Sequence, residues 1–140
     1  MFNKVLITGS SGFIGKEVSD YFLSQNYKVY GLDKVKSKNF TNIIFYKCDI
    51  MNKNNLLKIF KEINPHLIIH LAAKADLKSN DLNYYKDNYL GTKNIIDAAN
   101  LVSSIKRIIF TSTLLVNKIG TNNNQFLFYN PNTKYGESKV

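Results

Sequence analysis

The sequence predicts an α/β domain, a three-layer arrangement with a parallel sheet between helices. Three observations predict it. Apolar runs of strand length alternate with longer stretches whose apolar residues recur at helical spacing. The fourth run, from His66 to Ala73, is apolar nearly throughout, as a strand covered on both faces has to be. The first, Val5-Leu6-Ile7-Thr8, breaks into Gly9, Gly12 and Gly15 and then continues as an amphipathic segment, which reads as strand, tight turn and helix. At 140 residues the chain has the length of one domain able to bury roughly two thirds of its unfolded surface.

The glycine turn organises the rest. Gly9 lets the chain turn sharply, Gly12 lets backbone approach a pyrophosphate with no Cβ in the way, and Gly15 lets the new helix lie close against the sheet. The first-turn amides of that helix, unpaired by construction, would point at the phosphates. A glycine trio can also serve only to turn a chain. Here it follows a strand, opens a helix and meets an acid at the next strand's end, which favours the phosphate reading. Phe13, Ile14, Val18, Tyr21, Phe22 and Leu23 mark the helix, which should end near Gln25-Asn26. Val29 to Leu32 is the second strand, closing on Asp33 about 18 residues after Gly15. A carboxylate there accepts hydrogen bonds from both hydroxyls of an adenosine ribose and repels a 2′-phosphate, so Asp33 argues for NAD over NADP, while Lys34 beside it argues the other way.

Ile43 to Tyr46 is the third strand, leading into Cys48-Asp49-Ile50. Asp49 has two readings, as cap of the helix from Leu56 to Ile63 and as acceptor for an adenine amine. Asn64-Pro65 ends that helix. Ala72-Ala73, at the end of the fourth strand, leave room for a cofactor's backbone. His66 and His70, the chain's only histidines, read as structural residues with satisfied partners. After a polar stretch from Lys74 to Asn83, a long helix runs from Tyr84 to Leu101, with Tyr85, Tyr89, Thr92, Ile95, Ile96 and Ala99 inward. Asn88 interrupts that face and needs partners, either local backbone or the strand end where a cofactor would lie. Lys106 to Phe110 is the fifth strand, running into Thr111-Ser112-Thr113, hydroxyls at the edge where such sheets bind ligands. An Asn-rich irregular stretch from Leu114 to Thr133 follows. Tyr135 and Lys139 are four apart and would share one helix face. An ammonium there favours the phenolate and draws its pKa from ~10 toward neutrality, fitting the tyrosine for general acid or base work. That spacing is ordinary surface chemistry, and its interest comes from its position after a strand ending in hydroxyls.

Composition narrows the class. With 44% hydrophobic and 13% aromatic residues the chain is of folded, soluble type, and no apolar run approaches the ~20 residues that span a bilayer. The N-terminal run has only a strand's length and no cleavage site, so it is not a signal peptide. The single Cys48, in an apolar strand, forms no internal disulfide and fits a buried inert thiol in a reducing cytoplasm. The net charge of +9, 19 basic against 10 acidic residues, is nearly all lysine, Arg107 being the exception, and is spread among Asn and Ile. Base readout by arginine has little to work with, so no nucleic-acid partner is expected. The densest cluster, Lys34, Lys36 and Lys38, reads as a solvated loop, with an adenosine phosphate as the alternative neighbour.

Taken together these motifs resemble the extended short-chain dehydrogenase/reductase family, in particular its nucleotide-sugar epimerases and their relatives, along the entire chain. Thr8-Gly9-Ser10-Ser11-Gly12-Phe13-Ile14-Gly15 is similar to TGxxGxxG; Asp33 sits at the ribose position, and Asp49-Ile50 resembles the adenine-contacting pair. His70-Leu71-Ala72-Ala73 resembles HxAA, Asn88 to Thr92 resembles NxxGT, and Tyr135 to Lys139 fits YxxxK. The resemblance implies a Rossmann-like sheet in the order 3-2-1-4-5. It implies NAD held by Gly9, Gly12, Phe13, Ile14, Gly15, Asp33, Asp49, Ile50, Leu71, Ala72, Ala73, Asn88, Tyr135 and Lys139. It also implies Tyr135 moving the proton of a sugar hydroxyl, Lys139 binding the nicotinamide ribose and tuning that tyrosine, and Thr113 holding the substrate oxygen.

Two departures bear on activity. No Asp-Glu pair follows Thr113, where Leu114-Leu115 stand, which disfavours dehydration; Val116-Asn117-Lys118 replaces the family's usual Val-Tyr-Gly. The sequence ends one residue after Lys139, whereas family members continue into a domain that grips the nucleotide sugar. The expectation is therefore an NAD-binding domain over residues 1–140 of a cytoplasmic epimerase, with a homodimer open to a longer form, weak in NAD binding and without turnover alone. A keto-sugar reductase and a non-catalytic nucleotide-binding module are the alternatives.

Overall fold

A computed structural model describes residues 3–37, 42–118 and 129–140. Lys38 and residues 119–128 of the Asn-rich stretch lie outside them. Five strands, β1 (Lys4–Thr8), β2 (Lys28–Asp33), β3 (Ile44–Lys47), β4 (Leu67–His70) and β5 (Arg107–Phe110), form one sheet in the order β3-β2-β1-β4-β5. All neighbours are parallel, with Thr8 opposite Leu32 and His70, Asp33 opposite Lys47, and His70 opposite Phe110. The order follows from two right-handed crossovers outward from β1 and a return to its other side.

The strands alternate between two cores, as a period of two demands. Leu6, Tyr30, Leu32 and Ile68 face α2 (Lys53–Ile63) and α3 (Thr92–Ala99), which bury Leu56, Ile59, Phe60, Ile63, Ile95, Ala98 and Ala99. Val5, Ile7, Val29 and Ile69 face α1 (Phe13–Ser24), which adds Val18, Phe22 and Leu23. The three-layer expectation is met.

Several local expectations are corrected. On α1 the buried positions are Gly15 and Ser19, while Phe13, Ile14 and Tyr21 point to solvent. The stripe toward the sheet runs through 15, 18–19 and 22–23, so one residue's rotation puts the other three outside. α2 begins three residues before Leu56, and its cap is Asn52, whose side chain accepts the Asn55 amide at 3.1 Å. Asp49 is not that cap: its carboxylate is used one turn earlier, on the Met51 amide at 2.8 Å. Asn64, at φ 50°, ends the helix in the left-handed conformation before Pro65.

The long helix also differs. It starts as a 3₁₀ turn (Leu82–Tyr85), widens into a π turn (Asp87–Gly91) and becomes regular only in α3. Tyr85, Asn88, Ile95, Ala98 and Ala99 are buried, whereas Tyr89 and Ile96 stand partly exposed on a neighbouring stripe beside β5. Gly91 is required by close approach, since a Cβ there would run into the Ile50 side chain. The last helix, α4 (Lys134–Glu137), is one turn long, so Lys139 lies just past it, in a tighter turn closed by Lys139 N–H to Gly136 at 3.0 Å. Too short to stand alone, α4 is held by its Thr133 cap, by Gly136 against the Leu115 carbonyl, and by Ser138.

Candidate dinucleotide site

The glycine turn is built by contacts only glycine permits. Gly9 has φ +69°, and a Cβ there would fall 2.6 Å from the Ala72 nitrogen and 2.8 Å from its Cα. At Gly15 a Cβ would strike the Gly9 carbonyl and come within 2.7 Å of the Ser10 Cα, so this glycine packs α1 onto the turn itself rather than onto the sheet. Gly12 differs in kind. Its φ of −74° suits any residue, and a Cβ would meet only the Gly9 oxygen, at 3.3 Å. The backbone constrains this position less than the other two, by one close approach to a carbonyl oxygen, and the glycine also faces open space. Gly12 caps α1 with no side-chain hydrogen bond and no acid in the first turn, leaving the helix's amino end to an outside anion.

That space is a cavity of about 410 Å³ at the carboxyl edge of the sheet. Gly9, Gly12, Asp33, Ile50, Leu71, Ala72 and Ala73 line it together with Leu32, Lys34, Cys48, Lys74 and Asp87. The Asp33 carboxylate is fixed, accepting the Ser11 amide of the glycine turn at 3.0 Å and the Val35 amide at 3.4 Å. Lys34 reaches Asp87 at 2.6 Å and Asp49 at 3.3 Å, and the Asp87 carboxylate holds its ammonium above the usual lysine range. Cys48 is buried, and burial pushes its thiol up, as expected of an inert cysteine. Lys36 lies over the Phe45 ring at 6.0 Å.

A second cavity, also about 410 Å³, lies between α3 and β5. Asn88 and Lys139 line it with His70, Tyr89, Ile96, Phe110, Thr111 and Ser112. Asn88, 3% exposed, spends its amide on structure: its oxygen accepts the Lys74 amide at 2.7 Å, and its nitrogen donates to the Lys74 carbonyl at 3.0 Å and to Ser138 Oγ at 2.8 Å. It thereby ties the loop after β4 to the segment bearing Tyr135 and Lys139. Burial holds the Lys139 ammonium below its ordinary range.

Between the cavities runs a polar relay. His70 Nδ1 lies 2.6 Å from Thr8 Oγ1 and Nε2 lies 2.9 Å from Thr92 Oγ1. Thr92 donates its hydroxyl to the Asn88 carbonyl and so must accept from Nε2–H; Nδ1 therefore accepts from Thr8, whose oxygen in turn accepts the Ala72 amide at 3.3 Å. His66 likewise accepts the Asn3 and Lys4 amides at 3.2 and 3.3 Å. Both histidines are structural, as read.

Burial, and secondarily the charge of Lys139, lowers the His70 pKa from 6.5 to about 4. The unfolded chain thus binds the extra proton between those values, and stability falls as the pH drops through that window. Urea unfolding at pH 7 and pH 5 is expected to show a loss of about 2 kcal/mol assignable to His70, absent from His70→Gln.

Of the other candidates, Gly15 lies behind the first cavity, Asp49 joins its rim through Lys34, and Phe13 and Ile14 line neither cavity. Thr113 caps the 3₁₀ turn Leu114–Val116, accepting the Leu115 amide at 3.3 Å, and the Tyr135 ring lies 6.0 Å from Tyr85. Neither lines a cavity. Asp87 carried no signal in the sequence, because its partner Lys34 is 53 positions away, and Thr8 stood out only as the start of the glycine motif, its partner His70 being 62 positions away.

The sheet order, a glycine turn whose middle glycine faces open space, and an acid at the end of β2 define a dinucleotide-binding domain of Rossmann type. The chain matches the NAD dependent epimerase/dehydratase family over residues 5–140 and belongs to it. It is 29% identical over 145 residues to CDP-paratose 2-epimerase of Salmonella typhi, covering 94% of this chain and 42% of that protein. Among solved structures it is similar to UDP-glucose 4-epimerase of Brucella ovis in complex with NAD, with TM-score 0.87 and 26% identity over 98% of this chain and 44% of the other. The Thermotoga maritima UDP-glucose 4-epimerase with UDP-glucose gives TM-score 0.86 and 26% identity over 97% and 47%. The chain thus spans less than half the length of these relatives. Among the described residues no helix is long and apolar enough to cross a membrane.

Proposed function

We propose that residues 1–140 form the NAD-binding domain of a nucleotide-sugar epimerase. The observation that carries this is Gly12, a glycine with an ordinary φ and only one tight neighbour, the Gly9 oxygen, that lines the same cavity as Asp33. Gly9 and Gly12 would present backbone to the diphosphate, Asp33 would accept the adenosine ribose hydroxyls, and Ile50, Ala72 and Ala73 would pack along the rest. The bound nicotinamide supplies a hydride acceptor for a sugar carbon. Tyr135 would take the proton of the sugar hydroxyl and return it, with Lys139 supporting the phenolate from the same turn of chain. Thr113, whose oxygen already accepts the Leu115 amide, keeps its hydroxyl hydrogen for the substrate oxygen. No carboxylate follows Thr113, which supports epimerisation over dehydration.

Calorimetric titration of the chain with NAD tests the site: binding of one equivalent is expected, and no heat and no thermal shift at millimolar NAD would overturn it. Supplied with UDP-, CDP- and dTDP-hexoses, a protein that turns over should yield an epimer with no net NADH change, whereas net consumption of NADH with a keto sugar would identify the reductase.

A further inference from the structure

At the adenosine end of the cavity the chain sets a lysine directly after the ribose acid, and the structure shows where that lysine goes. Asp33 turns its carboxylate toward the glycine turn. Lys34 turns elsewhere, 2.6 Å from Asp87 in the π turn and 3.3 Å from Asp49 after β3. Three elements separated by long stretches of chain therefore meet at one ammonium, and both Lys34 and Asp87 line the cavity. A lysine free at this place is the natural partner of a ribose 2′-phosphate, a dianion that Asp33 repels. Pinned between two carboxylates, it forms a trio of net charge −1, and with Asp33 these four groups carry −2, against which Lys74 on the cavity wall sets one positive charge.

We propose that Lys34, Asp49 and Asp87 form an ionic clasp that sets dinucleotide choice, holding the lysine that directly follows the ribose acid away from the 2′ position so that the site takes NAD and rejects NADP. The proposal rests on the reading of this cavity as the NAD site. The side chains are partly exposed, 48% for Lys34, 44% for Asp49 and 26% for Asp87, so the clasp adds little to stability and acts by placing charge. Asp87, the closer and less exposed partner, is its main anchor.

The test compares NAD and NADP binding by ligand-observed NMR titration of the chain and its variants. The unaltered chain should prefer NAD. Asp87→Asn should shift the ratio of NADP to NAD affinity toward NADP by roughly two- to fivefold. Lys34→Ala/Asp87→Asn should lose that gain, because the cation that made it is gone. Asp49→Asn, which leaves the main anchor in place, should move NADP in the same direction by less, and it serves alone if Asp87→Asn does not fold. Equal affinity of the unaltered chain for the two dinucleotides would overturn the clasp. So would an unchanged NADP affinity in both single variants, or a gain that survives loss of Lys34. Binding of neither dinucleotide to the unaltered chain would overturn the site reading, and the clasp with it.

Discussion

Gly9→Ala is expected to lower the unfolding free energy by about 3 kcal/mol or more and to remove dinucleotide binding with it. The cost has two parts. A left-handed φ of +69° costs an alanine about 1–2 kcal/mol. The new Cβ also meets the Ala72 and Leu71 backbone at 2.6–2.9 Å, atoms of β4's exit that cannot move without disturbing the sheet, an overpacking cost of about 1–3 kcal/mol. Gly12→Ala should behave otherwise. Its φ is ordinary and its one close neighbour, the Gly9 oxygen at 3.3 Å, has to give by only a few tenths of an ångström, so stability should stay within about 1 kcal/mol of the parent, the difference between Gly and Ala at a helix cap. Its Cβ enters the cavity, however, and NAD affinity should fall tenfold or more, by the order of magnitude that displacing a backbone-to-phosphate hydrogen bond implies. Denaturant unfolding and NAD titration of the pair separate the two roles: if both variants lose stability alike, the glycines only turn the chain.

In a longer form of the protein that turns over, Tyr135→Phe is expected to reduce epimerisation about a thousandfold while leaving NAD affinity within about threefold, as loss of a general acid and base does. The ring remains, so its packing on Tyr85 survives. Turnover and NAD binding measured side by side check it. Equal turnover of the two proteins would remove Tyr135 from the acid–base role, and NAD binding with turnover in neither would assign the chain to the non-catalytic alternative.

What was legible in the sequence is what local spacing encodes. The five strands and the glycine turn follow from periodicity and from βα alternation, and each strand appeared within a few residues of its expected place, whereas the order of the sheet came only from the family resemblance. The winding of Leu82 to Ala99 was not legible, because its buried residues also fit one uninterrupted α-helix. Of the two readings of Asp49, the cap failed for a related reason. Asp and Asn three residues apart are both good caps, and only the folded chain shows that Asp49 bonds Met51 and leaves the helix to Asn52. Asn88 was singled out as a polar residue needing partners, but which ones depended on Ser138, 50 positions on.

The wide turn at Asp87–Gly91 sets the phase between two jobs on one rod. Regular winding advances 100° per residue, so deleting a single residue there would keep Ile95 and Ala98 seated while swinging the preceding side chains to another bearing. Asn88 would then miss Lys74 and Ser138, and Asp87 would leave Lys34. Length changes of one residue within these five positions should accordingly be far less tolerated than substitutions among them, a sensitivity that a deletion scan through the rod would map directly.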